Sequence, residues 1–209
     1  MPKSIFIFLF LAIPFLFQSQ ETQKRILFRS DSTWYAAADQ ILFSSTNKGA
    51  NWDTIFAKKS PADTVFFNGA LDTATNVFIS DAKTIFIFGW DGTMHFKTIL
   101  FCSSDYGKTW TKTIFYATAG VVGVKYLHKI SDTQFFLERR GENYSVTTDS
   151  GKTWKNNVIF NSKHGGKDER FTFLENGEIR YSYYRSRERK HKTVLSSKDG
   201  GLTWATLKN

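Results

Sequence analysis

Short apolar runs recur along this 209-residue chain, separated by polar or glycine-containing turns. Phe, Ile, Val, Tyr and Thr dominate the runs, and apolar positions alternate with polar ones within several of them. That residue choice and two-residue period favour β-strands over helices. The pattern predicts strands over Arg25 to Phe28, Thr33 to Ala37, Ile41 to Phe43 and Thr54 to Phe56. A second set follows at Asn76 to Ile79, Thr84 to Phe88, Ile99 to Cys102 and Thr113 to Phe115. A third occupies Val124 to Lys129, Gln134 to Glu138, Tyr144 to Val146 and Asn157 to Phe160. A fourth occupies Arg170 to Leu174, Glu178 to Tyr184, Val194 with Leu195, and Ala205 to Leu207. Polar turns such as Ser30-Asp31, Ser131-Asp132 and Glu175-Asn176-Gly177 join the first two strands of a set.

Each set contains one copy of an internal repeat at the same place, between its third and fourth strands. Three copies read S/T-x-D-x-G-x-T-W: Ser103 to Trp110, Thr147 to Trp154 and Ser197 to Trp204. A degenerate fourth, Ser45 to Trp52, carries Asn47 in place of the acid and Asn51 in place of the Thr. The closing Trp residues fall 58, 44 and 50 positions apart. The chemistry is that of a tight hairpin corner. A carboxylate or amide oxygen takes backbone N–H groups, and a glycine two positions later accepts a positive φ. The opening hydroxyl satisfies another turn group, and the indole closes over the hairpin as an apolar plug. A catalytic acid is needed once, whereas a fold element is needed in every unit. Asn47, Gly49, Trp52, Asp105, Gly107, Trp110, Asp149, Gly151, Trp154, Asp199, Gly201 and Trp204 are therefore structural. Four units of four strands predict an all-β fold of about four antiparallel blades: a β-propeller, or an open arc of one. The blades span roughly 25–56, 76–115, 123–160 and 170–208.

Ahead of the first strand the pattern changes. Lys3 precedes an apolar run from Ile5 to Phe17, interrupted by Pro14 and followed by polar Gln18-Ser19-Gln20. Such a run is short for a bilayer span and predicts a secretory signal peptide over residues 1–20, cut near Gln20. The mature domain, 21–209, would then be secreted, periplasmic or at the cell surface, with no membrane span. Its 41% hydrophobic and 17% aromatic residues suffice for a packed core. The formal net charge of +9 falls to +8 when Lys3 is removed, and a basic exported protein suits anionic partners. The single Cys102 has no internal disulfide partner and reads as a small buried strand residue.

On its four Trp-terminated motifs the chain resembles the Asp-box, or BNR, repeat proteins. They include sialidases, the ectodomains of sortilin-like receptors and xyloglucan-degrading glycosidases. The resemblance implies that Asn47, Asp105, Asp149 and Asp199 sit on the face opposite any ligand site. It does not extend to sialidase chemistry, for which about six blades and an arginine triad would be expected. Arg25 and Arg29 lack the sequence context of the first of those arginines. Tyr181, Tyr183 and Tyr184, beside Glu178 or Glu188, are explained by strand alternation alone. No paired carboxylates stand out for glycoside hydrolysis. His95, His128, His164 and His191 lack metal-ligand spacing, and no catalytic residue, metal or cofactor is assigned.

The face opposite the motifs collects the unusual residues. Trp90 and His95 lie in one connection, Arg139 and Arg140 in the next, and Arg185, Arg187, Arg189 and Lys190 in the last. Together they predict a non-enzymatic binding module for an anionic glycan or an acidic protein surface. Nucleic acid is not expected for an exported protein. The alternative from the resemblance is a sialidase-like glycoside hydrolase or a fragment of one. An incomplete ring would leave open edges that favour a homo-oligomer.

Overall fold

A computed structural model describes residues 23–57, 65–66, 76–91, 97–116, 124–139, 143–158, 170–184 and 192–207. The segment read as a signal peptide lies outside the described residues. Among them no helix forms, and none is long and apolar enough to cross a membrane. The strands assemble into four antiparallel sheets, one for each motif.

Blade 1 contains β1 (Arg25–Arg29), β2 (Trp34–Ala38), β3 (Ile41–Ser45) and β4 (Asp53–Ala57), paired in that order. Blade 2 contains β5 (Val65–Phe66), β6 (Val77–Ile79), β7 (Ile85–Asp91), β8 (Lys97–Ser103) and β9 (Thr111–Tyr116). Blade 3 contains β10 (Val124–Lys129), β11 (Phe135–Arg139), β12 (Asn143–Thr147) and β13 (Lys155–Val158). Blade 4 contains β14 (Arg170–Phe173), β15 (Ile179–Tyr184), β16 (Lys192–Ser197) and β17 (Ala205–Thr206). The one strand not expected from the pattern is β5. The β7 strand runs to Asp91, beyond the reach of short β6, and β5 pairs with Trp90 and Asp91 at its far end. The backbone groups there would otherwise lack strand partners.

Several second strands begin one residue later than the pattern predicts. Ser30, Asp81 and Ser131 each accept a hydrogen bond from the amide three residues on, at Thr33, Thr84 and Gln134, over 2.8–3.0 Å. Those amides are held by the turn side chain, so β2, β7 and β11 start at the next residue.

Strand alternation assigns the two sides of each sheet to different neighbours. In β7, Ile85 and Ile87 join Tyr35, Ala37 and Leu42 of blade 1, whereas Phe86 turns toward blade 3. In β8, Ile99 belongs to the first cluster and Leu100 and Cys102 to the second. In β11, Phe135 and Leu137 face blade 2, while Phe136 joins Tyr144, Val146 and Ile179 against blade 4. The cores are thus the seams between blades, joining 1 to 2, 2 to 3 and 3 to 4. This is the blade-on-blade stacking of a propeller, here as an arc of four.

The last blade differs on its outward side. Tyr35, Phe86 and Phe136 hold one equivalent position, opposite Ser44, Cys102 and Val146, and each packs into a seam. In blade 4 that position is Arg180, opposite Ser196. Arg180 is exposed and bonded to Glu178 at 2.7 Å, and Ser196 bonds the same carboxylate at 2.8 Å. The outward position filled by seam aromatics in blades 1 to 3 is thus polar in blade 4. Among the described residues no core joins blade 4 back to blade 1.

Candidate functional site

The four Asp-box corners occupy the same end of their sheets and share one hydrogen-bond plan. Ser45, Ser103, Thr147 and Ser197 are all nearly inaccessible. Each hydroxyl donates to the acid or amide two residues on, at 2.7–2.8 Å. Each also accepts the amide of Gly49, Gly107, Gly151 or Gly201, at 2.7–2.9 Å. The other side of the acid takes the threonine. Thr109, Thr153 and Thr203 donate their amides to Asp105, Asp149 and Asp199 at 2.9 Å. Their hydroxyls add a second bond at 2.5–2.6 Å. In the degenerate corner Asn47 accepts the amide of Asn51 at 2.8 Å, so an amide oxygen replaces the carboxylate there.

Burial works to raise the pKa of Asp105, Asp149 and Asp199. Bonds from the threonine hydroxyl and amide and from the opening hydroxyl outweigh it and hold all three below the usual carboxylate value. The three carboxylates are fully engaged as turn acceptors, the opposite of what a general acid needs.

The corners also lock one blade onto the next. The Tyr35 hydroxyl of blade 1 donates to the Ala82 carbonyl of blade 2. The Cys102 thiol of blade 2 lies 3.0 Å from the Ser150 carbonyl of blade 3, and Gln134 of blade 3 donates to the Asp199 carbonyl of blade 4 at 2.9 Å. The indole of Trp110 donates across to Ile55 of blade 1 at 2.8 Å, and that of Trp204 to the Tyr144 hydroxyl of blade 3 at 2.7 Å. Trp154 bonds within its own corner, to Gly151 at 3.0 Å. Burial pushes the Cys102 thiol up to about 12, which keeps it protonated and unreactive. This rim is a joint between blades.

The opposite end carries the connections β2–β3, β7–β8, β11–β12 and β15–β16. Of the ligand residues expected there, Arg139 is described in full. Trp90 is placed on β7 without its side chain, and His95, Arg140, Arg185, Arg187, Arg189 and Lys190 lie outside the described residues. Of the tyrosines and acids considered together, Glu188 and the side chain of Tyr184 lie outside the described residues. Tyr181 lies in the blade 3–4 seam, 4.9 Å from Phe171, and the Glu178 carboxylate is taken by Arg180 and Ser196. Among the described residues no three His, Cys, Asp or Glu side chains converge to hold a metal ion.

One basic feature escaped sequence reasoning. The first-edge strands β1, β10 and β14 carry Arg25, Arg29, Lys125, Lys129 and Arg170, and none of the three contains an acid. These are equivalent strands of blades 1, 3 and 4, whereas the first strands of blade 2, β5 and β6, carry no cation. Glu138 partly offsets Lys125 at 3.1 Å, and Asp132 and Asp81 offset Lys129 at 2.9 and 3.6 Å. Arg29 lies over the Trp34 ring, 4.7 Å from its centroid. The signal was present in the basic residues within the first strands of blades 1, 3 and 4. It becomes legible only when the units are aligned on their motifs.

Comparison with known proteins places the fold. The Sortilin-Vps10 family model (sortilin, neurotensin receptor 3) matches residues 98–209. No curated protein sequence matches the chain. The solved structure of YCF48 from Cyanidioschyzon merolae is similar with a TM-score of 0.50 and 11% identity. That similarity covers 91% of this chain and 60% of that one. An ancestral GH74 enzyme is similar with a TM-score of 0.50 and 12% identity, covering 89% of this chain and 25% of that one. The chain therefore spans less than two thirds of either structure.

Proposed function

Because the chain belongs to the Sortilin-Vps10 family, whose match takes in its last three Asp boxes, we propose that it is an exported, non-enzymatic binding module for an anionic glycan. The observation that carries this reading is the division of charge. The Asp-box carboxylates are consumed inside their own turns, whereas the first-edge strands of blades 1, 3 and 4 carry Arg25, Arg29, Lys125, Lys129 and Arg170 and no acid of their own, with Glu138, Asp81 and Asp132 meeting only Lys125 and Lys129 from neighbouring elements. A ligand with repeated negative charge would meet an attractive surface there and at the basic connections beyond it.

The test is retention of the full chain on heparin-like beads at low salt. The protein is expected to bind and to elute as salt rises, because surface charge attraction is screened. Changing Arg185, Arg187 and Arg189 together to Ser, or Arg29, Lys125 and Arg170 together to Ser, is expected to lower the eluting salt concentration. Absence of retention, or retention unchanged by both triple variants, would remove the reading. Turnover of an aryl glycoside that survives rigorous purification would move the assignment to a glycoside hydrolase.

A further inference from the structure

Arg139 stands apart from the other arginine and lysine side chains that the seams and edges hold. It ends β11 at the connection end of blade 3, and its guanidinium lies over the Phe115 ring of blade 2, 5.2 Å from the centroid. It is half-buried, and its Nε is closed off from solvent without a hydrogen-bond partner. Lys125, Lys129 and Arg180 each have a carboxylate within 4 Å, whereas among the described residues no carboxylate pairs with Arg139. Its neighbour Glu138 is turned by strand alternation to the other side of the sheet, where it meets Lys125 and His128. Burial of the guanidinium without an acid lowers its proton affinity below the ordinary arginine value.

Such a placement is costly for structure alone. Taking a cation out of water without an anionic partner is unfavourable, and an aromatic face recovers only part of the loss. With Nε closed off, the Nη groups of a half-buried guanidinium at the mouth of a seam suit a carboxylate, which they bind through two parallel hydrogen bonds. The exposed ring of Tyr116, next to Phe115 on β9, stands at the same end.

We propose that Arg139 is the anchor for a single carboxylate of the ligand, supplied by a uronic-acid unit of an acidic polysaccharide lying at the mouth of the blade 2–3 seam. This deepens the glycan-binding reading and rests on it.

The experiment measures affinity of the full chain for oligomeric polygalacturonate, whose only charges are carboxylates, beside poly-glutamate of equal charge. Arg139→Met keeps an apolar stem against Phe115 and removes the fork, while Arg139→Lys keeps the charge without the two-bond geometry. Met is expected to weaken polygalacturonate binding about 10- to 100-fold, the size of a lost charged hydrogen-bond pair, and Lys to fall between. The thermal midpoint of Arg139→Met is expected to hold or rise, since an unpaired buried charge is gone. A fallen midpoint with unchanged affinity would make Arg139 a structural plug and overturn the proposal. So would polygalacturonate affinity equal in all three proteins, even where the edge and loop triple variants lose binding; that result leaves the glycan reading standing. Failure of the unaltered chain to bind polygalacturonate overturns the carboxylate anchor, while the glycan reading stands or falls with retention on heparin-like beads. Tighter binding of poly-glutamate would replace the glycan with an acidic peptide and overturn the assignment.

Discussion

Gly151→Ala is expected to lower the free energy of unfolding by about 3 kcal/mol, measured from the urea midpoint at constant slope. Two costs add. The backbone at Gly151 has φ +87°, which an L side chain adopts at a cost of about 1–2 kcal/mol. A methyl there would also lie 2.6 Å from both the Cys102 sulfur and the Phe86 ring. Both side chains are buried in the blade 2–3 seam and cannot swing away. Overfilling a tight core site costs about 1–3 kcal/mol. Gly177→Ala separates the terms. Its φ is +80°, and nothing lies within 4 Å of the added carbon, so only the conformational cost of about 1 kcal/mol should appear. Equal losses for the two variants would contradict the close approach of the corner to the preceding blade.

Trp110→Ala is expected to cost about 3 kcal/mol, the low end for large-to-small substitutions at aromatics, because the ring is half-buried against the blade 1–2 seam. Its ring stands edge-on to Phe56 of blade 1 at 5.1 Å, and its N–H serves the carbonyls of Ile55 and Gly107. Trp110→Phe keeps most of the ring and should lose only about 1–2 kcal/mol, from the hydrogen bonds. The corner of blade 1 provides the contrast. The nearest atoms to a carbon added at Gly49 are those of Trp34 and Trp52 of its own blade, at 3.3 Å, whereas at Gly107 it would press on Ile55 of the preceding one. Trp52→Ala should therefore cost less than half as much as Trp110→Ala. Calorimetric unfolding of the three variants measures both differences.

The corners were legible in the sequence because each is self-contained. The hydroxyl, acid, glycine, threonine and indole of a corner lie within eight residues, and the bonds that join hydroxyl, acid, glycine and threonine close inside that window. Strand order was legible for a similar reason, since each turn side chain marks the start of the next strand. The joints between blades were not. Tyr35 with Ala82, and Gln134 with Asp199, are 47 and 65 positions apart, and nothing local in either partner announces the other. β5 escaped for the same reason, because its partner is the distant end of an unusually long strand. At the connection end, the basic character of Arg139 could be read from the chain. Its burial against Phe115 could not, because it depends on how two blades meet.

Amide hydrogen exchange of the full chain, with and without polygalacturonate, tests the division of the molecule into a locked rim and a binding end. The account predicts slowed exchange at the first-edge strands and at the β7–β8, β11–β12 and β15–β16 connections. The turns from Ser45 to Trp52, Ser103 to Trp110, Thr147 to Trp154 and Ser197 to Trp204 should exchange unchanged. Protection centred on those turns, or no protection anywhere, would contradict it.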